Sequence, residues 1–153
     1  MKINRILNAI LINENLDPTE NEAYTMLQNL QPYLKILRSK YRNNFVKINY
    51  SEKQLQLAYL IGYFPYYAEA NFKILKSLNE ELFIDNNVEV AVVGSGCCPE
   101  IFGIAKYIKF SHKTDRIIIK AKSFDKYYKE WTYSRDIALN KILLQHFQQI
   151  SIE

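Results

Sequence analysis

Apolar positions recur every three or four residues through the first part of the chain, which is the spacing of helices with one buried face. The first run of such positions predicts a helix over 3–14. Asp17, Pro18 and Glu20 predict the start of a second helix, with Asp17 as the capping residue and Pro18 at the first helical position. Pro32 is expected to end or kink this helix, because proline supplies no backbone N–H.

Two more helices are predicted before the pattern changes. Ser51 and Gln54 have the spacing of a capping box, and the apolar pattern behind them ends at Gly62. A further helix is expected over 66–82. The whole region 1–87 is therefore predicted to be a helical N-terminal region.

An almost unbroken β-branched run at 88–93 replaces the helical spacing and predicts a buried strand. A helix is expected over 101–110, a second strand over 116–121 and a longer helix from about 129 to 148. The segment 149–152 is interpreted as the beginning of a third strand. The second part of the chain is thus predicted to have the order β-α-β-α, followed by this short strand.

These elements define an α/β fold, in which region 88–153 is a partial, Rossmann-like nucleotide-binding unit. Strands joined by a helix run parallel, with a right-handed connection. Parallel sheets are normally covered on both faces, and two or three strands leave such a sheet incomplete. Three explanations follow: the chain is a fragment of a larger α/β domain, a partner chain or a second copy completes the sheet, or the sheet packs on the helices of 1–87.

At 153 residues, with 48% hydrophobic and 24% charged residues, the chain has the composition of one ordinary globular domain. Its net charge of +4 allows an anionic partner without requiring one. The two cysteines are adjacent and the two histidines are isolated, so neither a disulfide framework nor a metal site is expected. No apolar run reaches the roughly 18 residues of a membrane span, and no cleavage site follows the N-terminal apolar patch. These features predict a cytoplasmic protein that does not enter a membrane.

The clearest sign of chemistry is the turn Gly94-Ser95-Gly96, between the first strand and its helix. Glycines let the backbone turn tightly and let a ligand approach, and the helix that follows offers unpaired N–H groups and the positive end of its dipole. This arrangement is typical of a nucleotide-binding pocket. Simple turn chemistry also produces lone glycine turns, so a purely structural role is the alternative.

The same residues resemble a known family. The segment 90–96, with Pro99 and Glu100 opening the helix, is similar to the first motif of class I S-adenosylmethionine-dependent methyltransferases, in the variant with Pro-Glu in place of the third glycine. The segment 63–69 is similar to the helix that leads into this motif in some ribosomal-RNA-methyltransferase-like proteins.

Asp125, followed by Trp131 and Arg135, resembles the acidic position after the second strand and the helix behind it in such proteins. With these parts, the resemblance covers about residues 55–148. It implies a Rossmann-like fold, S-adenosylmethionine as cofactor and a methyltransferase-like protein. The later strands, which in that family carry the residues facing the methyl acceptor, are lacking, so no catalytic residue is named. Activity is expected to need a further segment or a partner chain.

The resemblance also implies which residues bind the cofactor: Gly94, Ser95, Gly96, Glu100 and Asp125. The two glycines would let the loop pass under the methionine part of the cofactor, where a side chain would clash, and Ser95 would hydrogen-bond there. Glu100, favoured by the helix dipole, would face the ammonium group. Asp125 would accept hydrogen bonds from the ribose hydroxyls, although it lies 29 residues after Gly96 and beyond the apolar strand, where about 20 residues is usual.

Two other functions stay open. The stretch 35–47 carries five basic and two aromatic residues without an acid, which suits a non-enzymatic module that binds RNA or a protein partner. A solvated helix end has the same composition. An NAD- or FAD-binding unit is less well matched, because Pro99 replaces the third glycine.

Three smaller expectations concern side chains near the turn. Cys97 and Cys98 precede a helix, where a thiol pKa can be depressed, but without a nearby histidine their small size is the better explanation. Trp131 and Arg135 are spaced to stack on one helical face. The aromatic cluster 63–67 is expected to pack its helix against the sheet rather than to stack on a ligand.

Overall fold

The structure is a computed structural model that describes residues 3–42, 47–78, 87–111, 117–144, 147 and 150–152, without the side chains of residues 117 and 150–152. Parts of the predictions lie outside these residues: 43–46 of the basic stretch, 79–82 of the helix expected over 66–82, residue 116 of the second strand, 145–146 and 148 of the last helix, residue 149 of the third strand, and both histidines.

Four helices build the N-terminal region: α1 (Ile3–Asn13), α2 (Glu20–Arg42), α3 (Lys53–Gly62) and α4 (Phe64–Ser77). The helical character expected for this region is confirmed where the structure describes it. In α1, Ile6 and Ile10 are fully buried, as the apolar spacing requires.

The start and the course of α2 differ from the prediction. Thr19 caps the helix instead of Asp17, because its hydroxyl accepts a hydrogen bond at 3.2 Å from a backbone N–H in the first turn. The helix then continues through Pro32 without ending. Proline removes one hydrogen bond, and the burial of Leu30 and Leu37 on either side of it holds the helix together.

The predicted capping box in front of α3 is not formed. The Ser51 hydroxyl instead donates a hydrogen bond to Asn49 Oδ1 at 2.7 Å, and Glu52 occupies the N-cap position without a side-chain hydrogen bond. The next helix, α4, begins at Phe64, two residues earlier than predicted, because Pro65 fits the start of a helix.

The second part of the chain alternates strands and helices: β1 (Asn87–Val93), α5 (Pro99–Ser111), β2 (Ile117–Phe124), α6 (Thr132–Asp136) with the π-helical segment Ile137–Leu143, and β3 (Ile150–Ile152). The strands are parallel and lie in the order β1-β2-β3. β2 pairs along the whole length of β1, and β3 pairs only with the beginning of β2. The fold is therefore mixed α/β with a short parallel sheet.

β2 is longer than its apolar sequence suggests. It was predicted to end at Ala121, but it continues through Phe124, because residues 122–124 pair with 91–93 of β1. Lys122 is exposed, so this extension does not show in the apolar pattern. As a result, the acidic residue Asp125 directly follows the strand.

The last helix is shorter than predicted. Residues 126–131 form turns, α6 begins at Thr132, and the chain widens into a π-helix from Ile137. π-Helical segments are rare and are found at packing or functional irregularities. Here Ile137 and Ile142 are both buried in the core.

Within the described residues, one face of the sheet is covered and the other is exposed. Val88, Val92 and Ile119 face the helices and are buried. On the opposite face, Val93 is 84% exposed and Phe124 is 55% exposed. Further exposed side chains of that face are those of Asn87, Glu89, Ala91, Lys120 and Lys122.

A shallow depression of about 620 Å³ lies on the sheet, between residues 89–91 and 120–122. Charged side chains at its rim suit contact with water. The outer edge of β1 has no strand neighbour among the described residues.

One hydrophobic core joins the two parts of the chain. It contains Ile6 of α1 and Phe64 of α4 together with Val92 and Ile119 of the sheet. Phe64 meets Phe102 of α5 edge-on, with ring centroids 5.8 Å apart. The N-terminal helices therefore help to cover one face of the sheet. Of the aromatic cluster 63–67, Phe64 packs as expected, whereas Tyr66 and Tyr67 are exposed, contrary to the prediction.

Within the described ranges, no helix combines the length and the apolar character that crossing a membrane requires.

Gly103 sets the close approach of α4 and α5. A Cβ at this position would lie 2.7 Å from Asn71 Cβ and 2.8 Å from the Ala68 carbonyl oxygen. We expect Gly103→Ala to lower the free energy of unfolding by roughly 1–3 kcal/mol, although alanine is the better helix former. Urea denaturation followed by circular dichroism measures this loss.

Gly62→Ala is the matched control for this experiment. A Cβ there would meet the Cδ2 of Leu34 at 2.6 Å, which is the end of a flexible side chain that can turn aside. Gly62→Ala should therefore lower the free energy of unfolding clearly less than Gly103→Ala does. Equal losses for the two variants would contradict the view that the α4–α5 approach is the constraint.

Candidate functional site

The loop between β1 and α5 has an unusual backbone. Gly94, Gly96 and Cys98 all have positive φ angles, of 70°, 48° and 60°. Glycine adopts this conformation without strain, whereas Cys98 is a non-glycine residue held there by its surroundings. The Cys98 N–H donates to the carbonyl of Ser95 at 2.6 Å, which closes the turn.

β2 holds the loop from one side. The Gly94 N–H donates to the carbonyl of Phe124 at 2.7 Å, and the Gly96 N–H donates to Asp125 Oδ2 at 2.9 Å. The carboxyl ends of adjacent parallel strands lie at the same edge of a sheet, and this places Asp125 beside the loop despite the long sequence separation. The structure thus brings together Asp125 and the glycine turn.

The Asp125 carboxylate is already engaged with the backbone. Its Oδ1 accepts a hydrogen bond from the Tyr127 N–H at 2.7 Å, and its Oδ2 accepts the bond from Gly96. A carboxylate oxygen has two acceptor sites, so each oxygen retains one for a further donor. The side chain is partly exposed, which leaves it accessible to a ligand hydroxyl.

Open space lies next to Gly94. This residue is exposed, and a Cβ built on it would meet no atom within 4 Å. Glycine is therefore required there by its φ of 70° and not by a clash with the protein. Any group that lies against this position must come from outside the described residues.

Ser95 is turned away from that open space. It is 1% exposed, and its hydroxyl forms a hydrogen bond with the hydroxyl of Ser123 on β2. The Ser123 hydroxyl also lies 3.8 Å from Cys98 Sγ. The role expected for Ser95, a hydrogen bond to a ligand, is thus taken by a bond within the protein.

Gly96 is covered by an aromatic ring. A Cβ there would lie 3.3 Å from Cε2 of Trp131, which is 4% exposed. The Trp131 ring in turn contacts Tyr50, at a centroid distance of 4.2 Å, and Tyr59, edge-on at 5.0 Å. Trp131 therefore connects the glycine turn with tyrosines of the N-terminal region.

Trp131 does not stack on Arg135, contrary to expectation. The Arg135 guanidinium carbon lies 3.9 Å from the ring centroid of Tyr128, and Nη1 of Arg135 donates to the Tyr128 carbonyl at 3.2 Å. The turns that precede α6 bring Tyr128 back over the arginine. The pair expected from helical spacing is replaced by this local one.

Glu100 lies in the first turn of α5 with an unsatisfied carboxylate. Its Oε2 is buried, and no described group gives it a hydrogen bond. Burial raises the pKa of this carboxyl group, because the charged form loses its water. Buried acceptors in folded proteins normally have a hydrogen-bond partner, so Glu100 Oε2 is a candidate acceptor for a donor group of a ligand.

The two cysteines are structural. Cys97 and Cys98 are free and buried, with 0% and 1% exposure. Burial raises the pKa of each thiol, which opposes formation of a thiolate. Small size in a close-packed loop remains the better explanation for both.

A buried hydrogen-bond network, not predicted from the sequence, fixes the site to α3. Gln56 is 3% exposed; its Nε2 donates to the carbonyls of Tyr50 and Glu130, at 2.8 and 2.6 Å. Its Oε1 accepts the Ser134 N–H at 3.0 Å. The one sequence feature that could have indicated Gln56 is its polar side chain on the apolar face of a predicted helix. This network sets the position of Trp131.

Among the described residues, no group of acidic, histidine or cysteine side chains is arranged to hold a metal ion. Comparison of the chain with protein-family models, with curated proteins and with solved structures gives no match.

The Gln56 network can be tested by stability. We expect Gln56→Leu to lower the free energy of unfolding by roughly 1–3 kcal/mol, because the Ser134 N–H and two carbonyls lose a buried partner. Gln54→Leu is the matched control, since Gln54 is exposed on the same helix. Urea denaturation compares them, and equal stability of the two variants would refute the role given to Gln56.

Glu100 predicts a dependence of stability on pH. Burial raises the pKa of the Glu100 carboxyl in the folded state above the unfolded value of about 4.3. Its contribution to the free energy of unfolding is therefore greatest below the unfolded pKa and is lost as pH rises through the folded pKa. Glu100→Gln, which stays neutral, should therefore be more stable than the wild type at neutral pH. The difference should vanish as pH falls to about 4.

Thermal unfolding across this pH range measures the effect. Glu89→Gln, which removes an exposed carboxylate on β1, serves as the control and should show no comparable gain at neutral pH. A Glu100→Gln variant that is less stable than the wild type at neutral pH would contradict the burial of an unpaired charge.

Proposed function

We propose that this chain binds S-adenosylmethionine at the loop between β1 and α5 and is a methyltransferase-like protein with a Rossmann-like sheet. The observation that carries the proposal is the contact between Asp125 and Gly96, at 2.9 Å. It places an acidic side chain from the end of β2 beside a glycine turn from the end of β1. The edge formed by the carboxyl ends of parallel strands is where α/β proteins bind nucleosides.

Two features of the loop support a fit to this cofactor. Nothing within the described protein fills the space next to Gly94. Glu100 keeps a buried oxygen without a donor, and an ammonium group is a donor that a carboxylate prefers. We expect one ligand to contact both features, because both lie on the segment that turns from β1 into α5.

The roles of the residues follow from their chemistry. Asp125 would accept hydrogen bonds from the ribose hydroxyls through the acceptor sites that the backbone leaves free. Glu100 would hold the ammonium group, and the exposed surface of Gly94 would lie against the ligand. Ser95 would act indirectly, by fixing the loop to Ser123.

The cofactor, when bound, supplies a methyl group made electrophilic by a sulfonium. Transfer requires the acceptor to be held in line with that group, which demands accurate positioning. Among the described residues, the loop and Asp125 account for cofactor binding, and no side chain is assigned to the acceptor. The exposed sheet face and the free edge of β1 are places where a further segment or a partner chain could complete the acceptor site.

Calorimetric titration with S-adenosylmethionine and with S-adenosylhomocysteine tests the proposal. We expect both ligands to bind the wild type and to lose affinity for Gly94→Ala, because the added methyl group projects into the open space. The variant strains the backbone by roughly 1–2 kcal/mol but meets no protein atom, so it should still fold. Circular dichroism verifies folding.

Two further arms sharpen the experiment. Asp125→Ala should weaken binding of adenosine as well as of the whole cofactor, whereas Glu100→Gln should weaken the whole cofactor and leave adenosine unaffected. NAD is titrated in parallel as the competing dinucleotide. The absence of heat with all sulfur-containing ligands, or unchanged affinity in Gly94→Ala, would contradict the proposal, and tighter binding of NAD would replace it.

A further inference from the structure

A second surface, outside the glycine loop, joins the basic end of α2 to exposed tyrosines. No acidic residue occurs between positions 23 and 51 of the chain. Within that interval, the last turns of α2 carry Lys35, Arg38, Lys40 and Arg42. None of these four cations forms an ion pair with a described residue. The end of α2 is therefore a source of positive potential.

In the folded chain, the basic end of α2 lies next to aromatic rings from a later part of the sequence. Tyr41 of α2 lies 4.9 Å from Tyr63, ring centroid to centroid, at the junction of α3 and α4. Arg38 lies one helical turn before Tyr41 on α2 and Arg42 directly follows Tyr41, so both arginines belong to the end of α2 that contacts Tyr63. Arginines and tyrosines thus share one surface.

The aromatic side of this surface is unusually exposed. Tyr66 is 70% exposed, Tyr41 42% and Tyr67 38%. The rings of Tyr66 and Tyr67 meet edge-on at 5.4 Å. Contiguous exposed apolar surface marks interaction sites, and tyrosine and arginine are enriched among the residues that dominate binding energy. We call this the Arg–Tyr surface and define it as Arg38, Tyr41, Arg42, Tyr63, Tyr66 and Tyr67.

We propose that the Arg–Tyr surface binds a single-stranded polynucleotide. The arginines are suited to phosphates, and the exposed tyrosine rings are suited to stacking by bases, which is how proteins hold single strands without reading their sequence. An acidic peptide would satisfy the cations but has no planar groups for the rings. A duplex would offer phosphates, but its bases are already stacked on each other.

The surface adjoins the site described above. Tyr59 stacks with Tyr63 at 5.4 Å and lies 6.5 Å from Tyr67, and it also meets Trp131, the residue that covers Gly96. A strand bound on the Arg–Tyr surface would therefore run close to the glycine loop. Binding itself does not depend on the cofactor, and it is measured without it.

Fluorescence anisotropy with a labelled single strand of about ten adenylates tests the inference, since one such site spans roughly 4–16 nucleotides. We expect binding at about 50 mM salt that weakens steeply toward 200 mM. Arg38→Glu/Arg42→Glu should reduce affinity about tenfold or more and should lower the slope of log affinity against log salt by about 1.4, which corresponds to two phosphate contacts.

The charge control is Lys73→Glu/Lys76→Glu, which makes the same change in net charge on exposed positions at the other end of α4. It should keep most of the affinity. Equal losses in the two double variants would show attraction by net charge alone and would overturn the proposal.

The stacking control uses two equally exposed tyrosines. Tyr66→Ala should weaken binding of the single strand by about fivefold or more, the lower limit for loss of one stacked base. Tyr24 is 64% exposed near the start of α2, and Tyr24→Ala should leave the affinity unchanged. Polyglutamate and a duplex of equal length serve as competitors. Failure to bind the strand, no effect of Tyr66→Ala, or tighter binding of polyglutamate or duplex would each overturn the proposal and leave cofactor binding untouched.

Discussion

The packing of Trp131 on Gly96 is the contact on which the rest of the site depends. The indole fills the space that a side chain at Gly96 would need, at 3.3 Å from its Cβ position, and its other side rests on Tyr50 and Tyr59. Gln56 fixes the backbone around the indole from within α3. A loop at the end of a strand is thereby shaped by the helical region, and the two parts of the chain cannot be understood separately.

The end of β2 and the residue after it hold the turn by three hydrogen bonds, through the backbone of Phe124, the hydroxyl of Ser123 and the carboxylate of Asp125. Among the described residues, no group bonds the buried Oε2 of Glu100, and no atom fills the space next to Gly94. Folded proteins seldom leave a buried acceptor without a donor, and such exceptions occur at functional sites. The proposed ligand site rests on these two features of the segment between β1 and α5.

Sequence patterns predicted the order of elements and the strand–turn–helix unit, because burial on one face leaves a regular apolar spacing. They failed where the cause lies in tertiary structure. Pro32 does not end α2, since buried leucines on both sides hold it, and the end of β2 was missed because its last residues pair with β1 while one of them, Lys122, faces water. The resemblance indicated Asp125, but it did not predict the hydrogen bond between the Gly96 N–H and the Asp125 carboxylate. Gln56 could have been indicated only by its polar side chain on the apolar face of a predicted helix. Its partners, and the bond between Ser123 and Ser95, form only in the tertiary structure and could not be predicted from the sequence.

We propose that the ligand lies against the outer side of the glycine turn and not elsewhere in the protein. The chain has four glycines: besides Gly94 and Gly96, Gly103 is packed between α4 and α5, and Gly62 is exposed at the end of α3. Their amide signals can be resolved by ¹H–¹⁵N correlation spectroscopy of the labelled protein during titration with S-adenosylhomocysteine. If the ligand lies there, the Gly94 and Gly96 signals shift saturably and the Gly62 and Gly103 signals do not change. Unchanged signals from Gly94 and Gly96 at saturating ligand would contradict this proposal.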